Sequence, residues 1–176
     1  MNAFAASWPR RPAARRSFGD VAAEHLDDVV RYLTMMTGDA SIAEDLAAAT
    51  FEKALKAWRR FDPRRASERT WLCRIARNVA LDHFRAEARR RRREERLATD
   101  SEPCTEPALG GFSPELDEAL RSLSAGEREV LALRIVLDLD AETAAAFLGI
   151  GRTTCSMRLA RALAKLEERM GSHAHA

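Results

Sequence analysis

Apolar residues along this chain recur at spacings of three and four, and stretches in which apolar and polar residues alternate are nearly absent. This periodicity predicts helices rather than strands. A first helix is expected over 20–36, with Gly38-Asp39 at its end. Its apolar face consists of Val21, Ala22, Leu26, Val29, Val30, Leu33 and Met36.

Two further helices are predicted in the first half of the chain. Residues 41–44 have the Ser-x-x-Glu pattern of a capping box, which predicts a second helix from there to about residue 60. Asp62-Pro63 predicts a turn. A third helix should begin between 67 and 70 and continue through a run of arginines to 93. The side chains that the second helix is expected to bury are Leu46, Phe51, Ala54, Leu55 and Trp58.

The character of the chain changes over 94–112, which contains prolines, a pair of glycines, acidic residues and few large apolar side chains. We interpret this stretch as a flexible linker. Beyond it, Ser113-Pro114 and Ser124 to Glu127 both have the sequence of a helix start. Asp140 is expected to cap a short helix that Gly149 ends. A final helix from about 152 has Leu159, Leu163, Leu166 and Met170 at helical spacing.

The predicted fold class is therefore all-α, with two small helical domains joined by a flexible acidic linker. The domains cover 18–93 and 113–170, and the linker covers 94–112. Residues 1–17, which are basic, and the tail 171–176 show no apolar periodicity, and we expect both to be disordered.

Acidic and basic residues alternate in blocks along the chain, although the net charge is only +2. Residues 18–58 contain 3 basic and 8 acidic residues, whereas 59–93 contain 13 arginines against 4 acidic residues. Residues 94–118 contain 1 basic and 8 acidic residues. Residues 119–176 are close to neutral. A basic block between two acidic blocks indicates a polyanion partner at one place and a different kind of partner elsewhere.

Several classes of protein are excluded by what the sequence lacks. No apolar run approaches the length of a membrane span, so membrane insertion is not expected. The N-terminus has no apolar segment of a secretory signal, and three cysteines without a CxxC pair do not suggest a disulfide scaffold or zinc site. We therefore expect a cytoplasmic protein. No catalytic motif, metal-ligand cluster or cofactor-binding loop is evident, so we expect neither an enzyme nor a cofactor.

The predicted third helix has one apolar face and one face of cations and an amide. Plotted at about 100° per residue, Arg74, Arg77, Asn78 and Arg85 share one side, while the apolar side carries Leu72, Ile75, Ala76, Val79 and Ala86. Arginine forks suit phosphates, and an asparagine amide can hydrogen-bond a base edge. Trp71 lies between the faces and is expected mainly in the core, with stacking on an unpaired base as the alternative. A simple solvated amphipathic helix is the alternative for the whole segment.

Residues 140–166 have the pattern of a helix-turn-helix, with the turn at 149–151. Hydroxyl and arginine side chains near the start of the second helix suit the major groove of duplex DNA. The alternative is an ordinary helical hairpin. The exposed candidates for DNA contact are Arg152, Thr153, Thr154, Ser156, Met157, Arg158 and Arg161.

Three stretches resemble the extracytoplasmic-function (ECF) group of bacterial RNA polymerase sigma factors, in the sigma-70 superfamily. They are RYLTMMTGDASIAEDLAAATFEKALKAWRRFDP (31–63), TWLCRIARNVALDHFR (70–85) and LSAGEREVLALRIVLDLDAETAAAFLGIGRTTCSMRLARALAKL (123–166). In order, they are similar to the core-binding helix of region 2, its helix that recognises the −10 promoter element, and region 4. The resemblance covers about 150 residues and implies an alternative sigma factor with core polymerase (its β and β′ subunits) and promoter DNA as partners.

The resemblance also implies roles for individual residues. Asp45, Leu46 and Phe51 match the segment that docks on the polymerase clamp. Lys53, Phe61 and Asn78 match a pocket for a flipped-out −10 base, with Trp71 beside it, and Arg74, Arg77 and Arg85 match neighbouring backbone contacts. Thr154, Ser156, Met157, Arg158 and Arg161 match the −35 recognition helix. Many such factors are held by an anti-sigma protein, so that antagonist is a candidate partner.

The sequence departs from the family pattern at several positions. Ala48 and Ala49 stand where the family commonly has glutamine and an acid, which puts the clamp contact in doubt. Glu68, Ser156 and Ala160 also differ from the commoner residues, and the last two put the −35 preference in doubt.

Two other hypotheses remain: a stand-alone helix-turn-helix regulator, which leaves 31–85 unexplained, and a nucleic-acid enzyme, for which no catalytic cluster is visible.

Overall fold

The computed structural model describes residues 16–97 and 113–173, and within these ranges the chain forms helices and no strand. A 3₁₀ turn over Trp58–Arg60 follows the second helix, and a π-helical segment over Ala132–Val136 follows the fifth. The expected all-α class and its two helical domains are confirmed. The α-helices are α1 (Phe18–Thr37), α2 (Ala40–Ala57), α3 (Glu68–Leu97), α4 (Pro114–Arg121), α5 (Ala125–Leu131), α6 (Ala141–Leu148) and α7 (Arg152–His173).

Most helix ends are where the cap residues predict them. Gly38 ends α1 in the left-handed conformation at φ 73°, and its N–H donates to the Thr34 carbonyl over 2.8 Å. Ser113 accepts from the Leu116 N–H at the start of α4. Gly149, at φ 68°, ends α6 in the same way as Gly38 ends α1. These ends follow from local chemistry, because the caps satisfy backbone groups that a helix leaves unpaired.

The start of α2 differs from the prediction. The N-cap is Asp39, whose Oδ1 accepts from the Ile42 N–H over 3.0 Å. Ser41, predicted to open the helix with Glu44, lies inside its first turn. The Thr37 hydroxyl accepts from the Asp39 N–H over 3.2 Å and so fixes Asp39 in the capping position. A capping-box pattern therefore gives the wrong cap here, because an aspartate two residues earlier competes for the same amides.

The first domain is a bundle in which α1, α2 and α3 pack against one another. Cys73 is buried in it as a small side chain, and burial raises the pKa of its thiol to about 12. Leu26 and Leu55, which the sequence predicts to be buried, are 46% and 58% exposed. The largest buried side chains of this bundle include Val21, Val29, Tyr32, Leu33 and Leu72.

The second domain packs α4, α5 and α6 on α7. The Ser124–Glu127 capping box is present in full, and Glu127 also joins α5 to α7. Its Oε2 accepts from Lys165 Nζ over 2.8 Å and from the Ser124 N–H over 2.9 Å. The Lys165 ammonium, and then Ser124, lower the pKa of the Glu127 carboxyl to about 2. This carboxylate adds a polar link between α5 and α7 to their apolar packing.

The two domains are in contact, which the sequence does not predict. α1 packs against α5 and against the π-helical segment. As a result, the buried residues of both domains form one continuous cluster that extends from Val21 to Ala162. The linker therefore joins two domains whose buried residues are in contact with each other.

Three chain segments differ in extent from the prediction. α3 continues to Leu97, four residues beyond the expected end of the first domain at residue 93, and α7 continues to His173 in the expected tail. Ser17 caps α1, and Arg16 pairs with Glu24 and Glu68, although both Arg16 and Ser17 lie in the segment expected to be disordered. The remainder of the predicted disordered and linker segments, 1–15, 98–112 and 174–176, lies outside the described residues.

The cap assignment at α2 can be tested by two alanine substitutions. Asp39→Ala should lower the free energy of unfolding by about 1 kcal/mol, because it removes the acceptor for the amides at the start of the helix. Ser41→Ala is the matched control and should change it by a few tenths of a kcal/mol at most, since Ser41 is exposed inside the helix. Urea denaturation followed by circular dichroism measures both. A larger loss for Ser41→Ala than for Asp39→Ala would contradict the assignment.

The Glu127 contact predicts a specific dependence of stability on pH. Its pKa of about 2 in the folded chain lies below that of an unfolded glutamate. The contact therefore stabilises the fold fully above about pH 5 and is lost as the pH falls toward 2. Glu127→Gln should lower the denaturation midpoint at pH 7 and make the acid-side decline shallower. Glu167→Gln, at an exposed position of α7, is the control and should retain the wild-type pH profile.

Candidate nucleic-acid interface

The basic face of α3 is largely open to solvent. Arg74, Asn78 and Arg85 are exposed, and Arg77 is partly buried. The buried arc of the helix is shifted from the predicted one, since Cys73 is buried in addition to the expected residues. Ile75 is only partly buried, whereas Ala80 is buried and Ala86 is exposed. The shift arises because α3 packs against both α1 and α2, and it brings Arg77 to the edge of the buried surface.

Lys53, Asn78 and Arg85 form part of one polar patch where α2 meets α3. Lys53 Nζ lies 3.9 Å from Asp82 Oδ2, and Arg85 Nη1 lies 3.3 Å from Asp82 Oδ1. Asn78 lies one helical turn before Asp82, on the same side of α3. Asp82 thus holds two cations beside an exposed amide. The patch offers phosphate-binding cations and a base-edge donor and acceptor within a short distance.

An aromatic cluster lies where the 3₁₀ turn leads into α3. Phe61 stacks on Trp58 with ring centroids 5.2 Å apart and planes inclined by 8°. Trp71 lies 5.0 Å from Phe61 and 5.8 Å from Trp58. Phe61 is only 8% exposed, and Trp71 is half-buried. Both rings are therefore held by packing, and Trp71 is the more exposed of the two.

Arg74 and Arg77 lie on the side of α3 that faces the second domain. Arg77 Nε donates to Glu129 Oε1 on α5, and this hydrogen bond raises the pKa of the guanidinium. The Arg74 guanidinium lies 5.8 Å from the ring centroid of Phe147 on α6. The predicted −10 residues thus fall into two groups, one open to solvent and one in contact with the other domain.

The residues predicted to bind polymerase are not equally accessible. Asp45 is exposed and Phe51 is half-buried, whereas Leu46 is 9% exposed and belongs to the core. Phe51 lines a groove of about 580 Å³ between α1 and α2, whose apolar walls include Leu26 and Ala48. Leu26 is exposed because it lines this groove. Helical periodicity could not predict that exposure, because it places Leu26 with the buried residues on the apolar side of α1.

The start of α7 presents a polar surface. Among the predicted contacts, Thr154 and Arg158 are partly buried, and a Cβ added to Gly126 would lie 3.3 Å from Arg158 Nη1. Cys155, between them in the sequence, is fully buried. The predicted contacts that are exposed are Arg152, Thr153, Ser156, Met157 and Arg161.

No group of three or more histidine, cysteine or acidic side chains that could hold a metal ion occurs within 16–97 and 113–173. His25 and His83 are partly buried. His25 Nδ1 lies 3.7 Å from Asp28 Oδ2, which Arg69 also contacts over 2.7 Å. The polar groups at the exposed sides of α3 and α7 are mainly arginine guanidinium, amide and hydroxyl groups.

Two family models match the chain. Residues 21–90 match sigma-70 region 2, and residues 113–166 match sigma-70 region 4. The first match contains α2 and most of α1 and α3, and the second runs from the start of α4 into α7. Together they account for both domains.

Individual proteins give the same result. The chain is 30% identical to the RNA polymerase sigma factor CarQ of Myxococcus xanthus, over 92% of this chain and 93% of that protein. It is 34% identical to the ECF RNA polymerase sigma factor SigC of Mycobacterium tuberculosis, over 77% and 73%.

Two solved structures are similar over most of this chain. The sigma factor RpoE, in complex with the anti-sigma factor NepR from Bartonella quintana, has a TM-score of 0.70 at 26% identity, covering 86% of this chain and 97% of that one. CnrH, in complex with the cytosolic domain of CnrY, has a TM-score of 0.63 at 27% identity, covering 88% of both chains. From its two matched regions and its relatives, the chain belongs to the extracytoplasmic-function group of the sigma-70 family of RNA polymerase sigma factors.

Proposed function

We propose that this sigma factor divides its promoter and polymerase contacts among three surfaces: α2 for core polymerase, α3 for the −10 element and α7 for the −35 element. As a member of its family the chain is an alternative sigma factor that acts in transcription initiation. Sigma factors bind core RNA polymerase and promoter DNA. The observation that carries the residue-level proposal is that one chain exposes both the polar patch of α3 and the polar start of α7.

At the −10 element, we propose that α3 holds bases that leave the duplex stack. Melting without ATP must draw its free energy from binding opened bases, so a protein pocket for an unstacked base supplies what unpairing costs. The Asn78 amide can donate to and accept from a base edge, and Lys53 and Arg85 can bind the adjacent phosphates. The packed pair of Phe61 and Trp71 would lie beside that base. Arg74 and Arg77 extend the phosphate contacts along α3.

At the −35 element, we propose that α7 enters the major groove with its first two turns. Arginine forks bind guanine edges or phosphates, and the hydroxyls of Thr153 and Ser156 can hydrogen-bond either. Arg158 is held against α5 near Gly126, so it serves as a fixed contact at the edge of the groove. Met157 offers apolar contact to a thymine methyl group.

For core polymerase, we propose that Asp45 and Phe51 contact the enzyme directly and that Leu46 supports them from the core. The groove beside Phe51 is lined by the small side chains of Ala47 and Ala48, and its charged lining residues are Asp27, Arg31 and Glu44. A partner surface with an apolar ridge and basic flanks fits this groove. The alanines at 48 and 49 therefore shift the contact from polar to apolar in character.

We also propose an anti-sigma protein as a regulatory partner, supported by the two solved relatives, which are in complex with the anti-sigma factor NepR and with CnrY. We propose that the chain has no catalytic activity of its own and acts in the cytoplasm, where polymerase and promoters are found. No helix within the described ranges is long and apolar enough to cross a membrane.

In vitro transcription tests the proposed function. Purified chain added to core polymerase should produce promoter-specific transcripts on genomic fragments that core polymerase alone does not transcribe. Footprints of the complex should cover both the −35 and the −10 elements. A chain that protects DNA by itself but never changes initiation by core polymerase would contradict the proposal.

The −10 assignment predicts the effect of Asn78→Ala. Loss of one base contact should lower initiation from a duplex promoter by about 5- to 100-fold. The loss should be smaller on a template whose −10 segment is already unpaired, since less of the binding energy is then needed for opening. Lys56→Ala, at an exposed position of α2, is the control and should initiate normally. Equal initiation by Asn78→Ala and wild type on duplex DNA would rule out the assignment.

The −35 assignment predicts a change in salt dependence for Arg161→Ala. If Arg161 binds a phosphate, the slope of log affinity against log salt should decrease by about 1, with weaker binding to all −35 duplexes. Arg169→Ala changes the same residue type farther along α7, where Arg169 faces Glu118 at 4.0 Å. This control should leave the slope unchanged. Fluorescence anisotropy of the polymerase complex with labelled duplex at several salt concentrations measures both.

A further inference from the structure

A carboxylate lies in the middle of the cationic patch where α2 meets α3. The side chain of Asp82 is 61% exposed, and its two oxygens face Lys53 and Arg85. Asn78 lies one turn earlier on the same side of the helix, about 40° away at 100° per residue. A negative charge at this place repels a phosphate. The patch therefore has a feature that phosphate binding alone does not explain.

The two cations neutralise Asp82 without using all of its capacity to accept hydrogen bonds. Arg85 Nη1 donates to Asp82 Oδ1 over 3.3 Å. Lys53 Nζ lies 3.9 Å from Oδ2, which is within the range of an ion pair but too long for a hydrogen bond. An ionised carboxylate has about four lone-pair sites. These contacts therefore leave Oδ2 able to accept a closer hydrogen bond from a ligand.

The group of a DNA strand that suits this acceptor is the amino group of an unstacked base. Phosphate oxygens only accept hydrogen bonds, whereas the amino groups of cytosine and adenine donate. On the Watson–Crick edge of both bases, the amino group lies next to a ring nitrogen that accepts. Thymine has the reverse arrangement, a carbonyl oxygen next to a ring N–H. Asp82 as acceptor and the Asn78 amide as donor match the edge of cytosine or adenine.

We propose that Asp82 is a specificity-determining residue that accepts a hydrogen bond from the amino group of an unstacked −10 base and so favours cytosine or adenine over thymine at one position. This inference rests on the proposed function, in which α3 holds opened bases of the −10 element. Lys53 and Arg85 then have two tasks, because they hold the carboxylate and bind the phosphates on either side of the base. Repulsion between Asp82 and phosphate keeps the base, rather than the backbone, against α3.

A purely structural role for Asp82 predicts a different pattern of binding. If Asp82 only holds Lys53 and Arg85, its loss should weaken binding to every −10 sequence by the same factor, because phosphate contacts carry no sequence information. A base contact instead changes the ratio of the affinities for two bases at one position. That ratio, rather than the affinity itself, therefore identifies a base contact.

Asp82→Asn in the complex of the full-length chain with core polymerase separates the two roles. The probe is a labelled promoter fragment with a duplex −35 element and a single-stranded −10 segment, in which each −10 position in turn carries adenine, cytosine or thymine. At one position the wild-type complex should bind cytosine or adenine about tenfold more tightly than thymine. An amide can turn to accept from cytosine or donate to thymine, so Asp82→Asn should lower this ratio to about twofold or less. Fluorescence anisotropy measures each affinity.

Two further variants control for charge and folding. Asp82→Glu keeps the acceptor and its charge, so it should prefer the same base as the wild type even where its affinity is lower. Glu87→Gln removes an acid of the same helix that pairs with Arg90 over 2.8 Å and lies about 140° around α3 from Asp82. It should match the wild type in affinity and in base preference. Circular dichroism of each variant checks that the helices are intact.

Failure of this role for Asp82 differs from failure of the proposed function. An unchanged ratio in Asp82→Asn, or an equal loss of affinity for all three bases, would overturn the role in base selection. A wild-type complex that binds the probe but nowhere prefers cytosine or adenine to thymine would overturn it as well. If the proposed function itself is wrong, the wild-type complex should neither bind the probe nor start promoter-specific transcription.

Discussion

The burial of α1 on two sides is the constraint that organises the rest of the structure. One side of the helix packs against α2 and α3, and another packs against α5 and the π-helical segment. Tyr32 and Leu33 are completely buried as a consequence. Apolar surface removed from water stabilises a contact by about 25 cal/mol per Å², so the contact between the domains has a non-directional driving force. The partly buried ion pair between Glu129 and Arg77 adds a directional contact between the domains.

The alternating charge blocks contribute to the fold as well as to partner choice. The acidic residues of α1 and the arginines of the next block lie side by side, as in the contact between Arg69 and Asp28 at 2.7 Å. Lys53 and Asp82 make a similar contact between α2 and α3. Part of the positive charge is thereby neutralised within the chain, and the remainder is concentrated on the exposed side of α3. A chain with a net charge near zero can thus have a strongly basic surface on one side of α3.

Helix positions could be predicted from the sequence, whereas the contact between domains could not. Caps such as Ser113 and Gly149 act on their own backbone within a few residues, so a local pattern contains the information. Asp39 displaced Ser41 because two adjacent caps compete, which only the geometry decides. Glu129 has no local signature, since it follows a capping box and resembles any acid on a short helix. Its partner lies 52 residues away in the sequence, and no periodicity connects them.

The polar patch of α3 was predicted by residue type and the family resemblance, but its accessibility was not. The same pattern of arginines on one face describes both Arg85, which is open to solvent, and Arg77, which is held by the other domain. Similarly, Leu46 and Leu26 both have helical spacing, yet the first lies in the core and the second lines a groove. Accessibility depends on which helices pack on which side, and that is a property of the tertiary structure.

The length of α3 has a geometric consequence for the whole molecule. Its last completely buried residue is Ala80, and Phe84 still packs against the core, whereas the helix continues to Leu97. The remaining 13 residues extend about 20 Å at 1.5 Å per residue. The helix is therefore a rigid spacer that fixes where the linker leaves the first domain, at a distance from the bundle. The distance that the linker must cover is therefore the distance from Leu97, at the end of α3, to Pro114, at the start of α4.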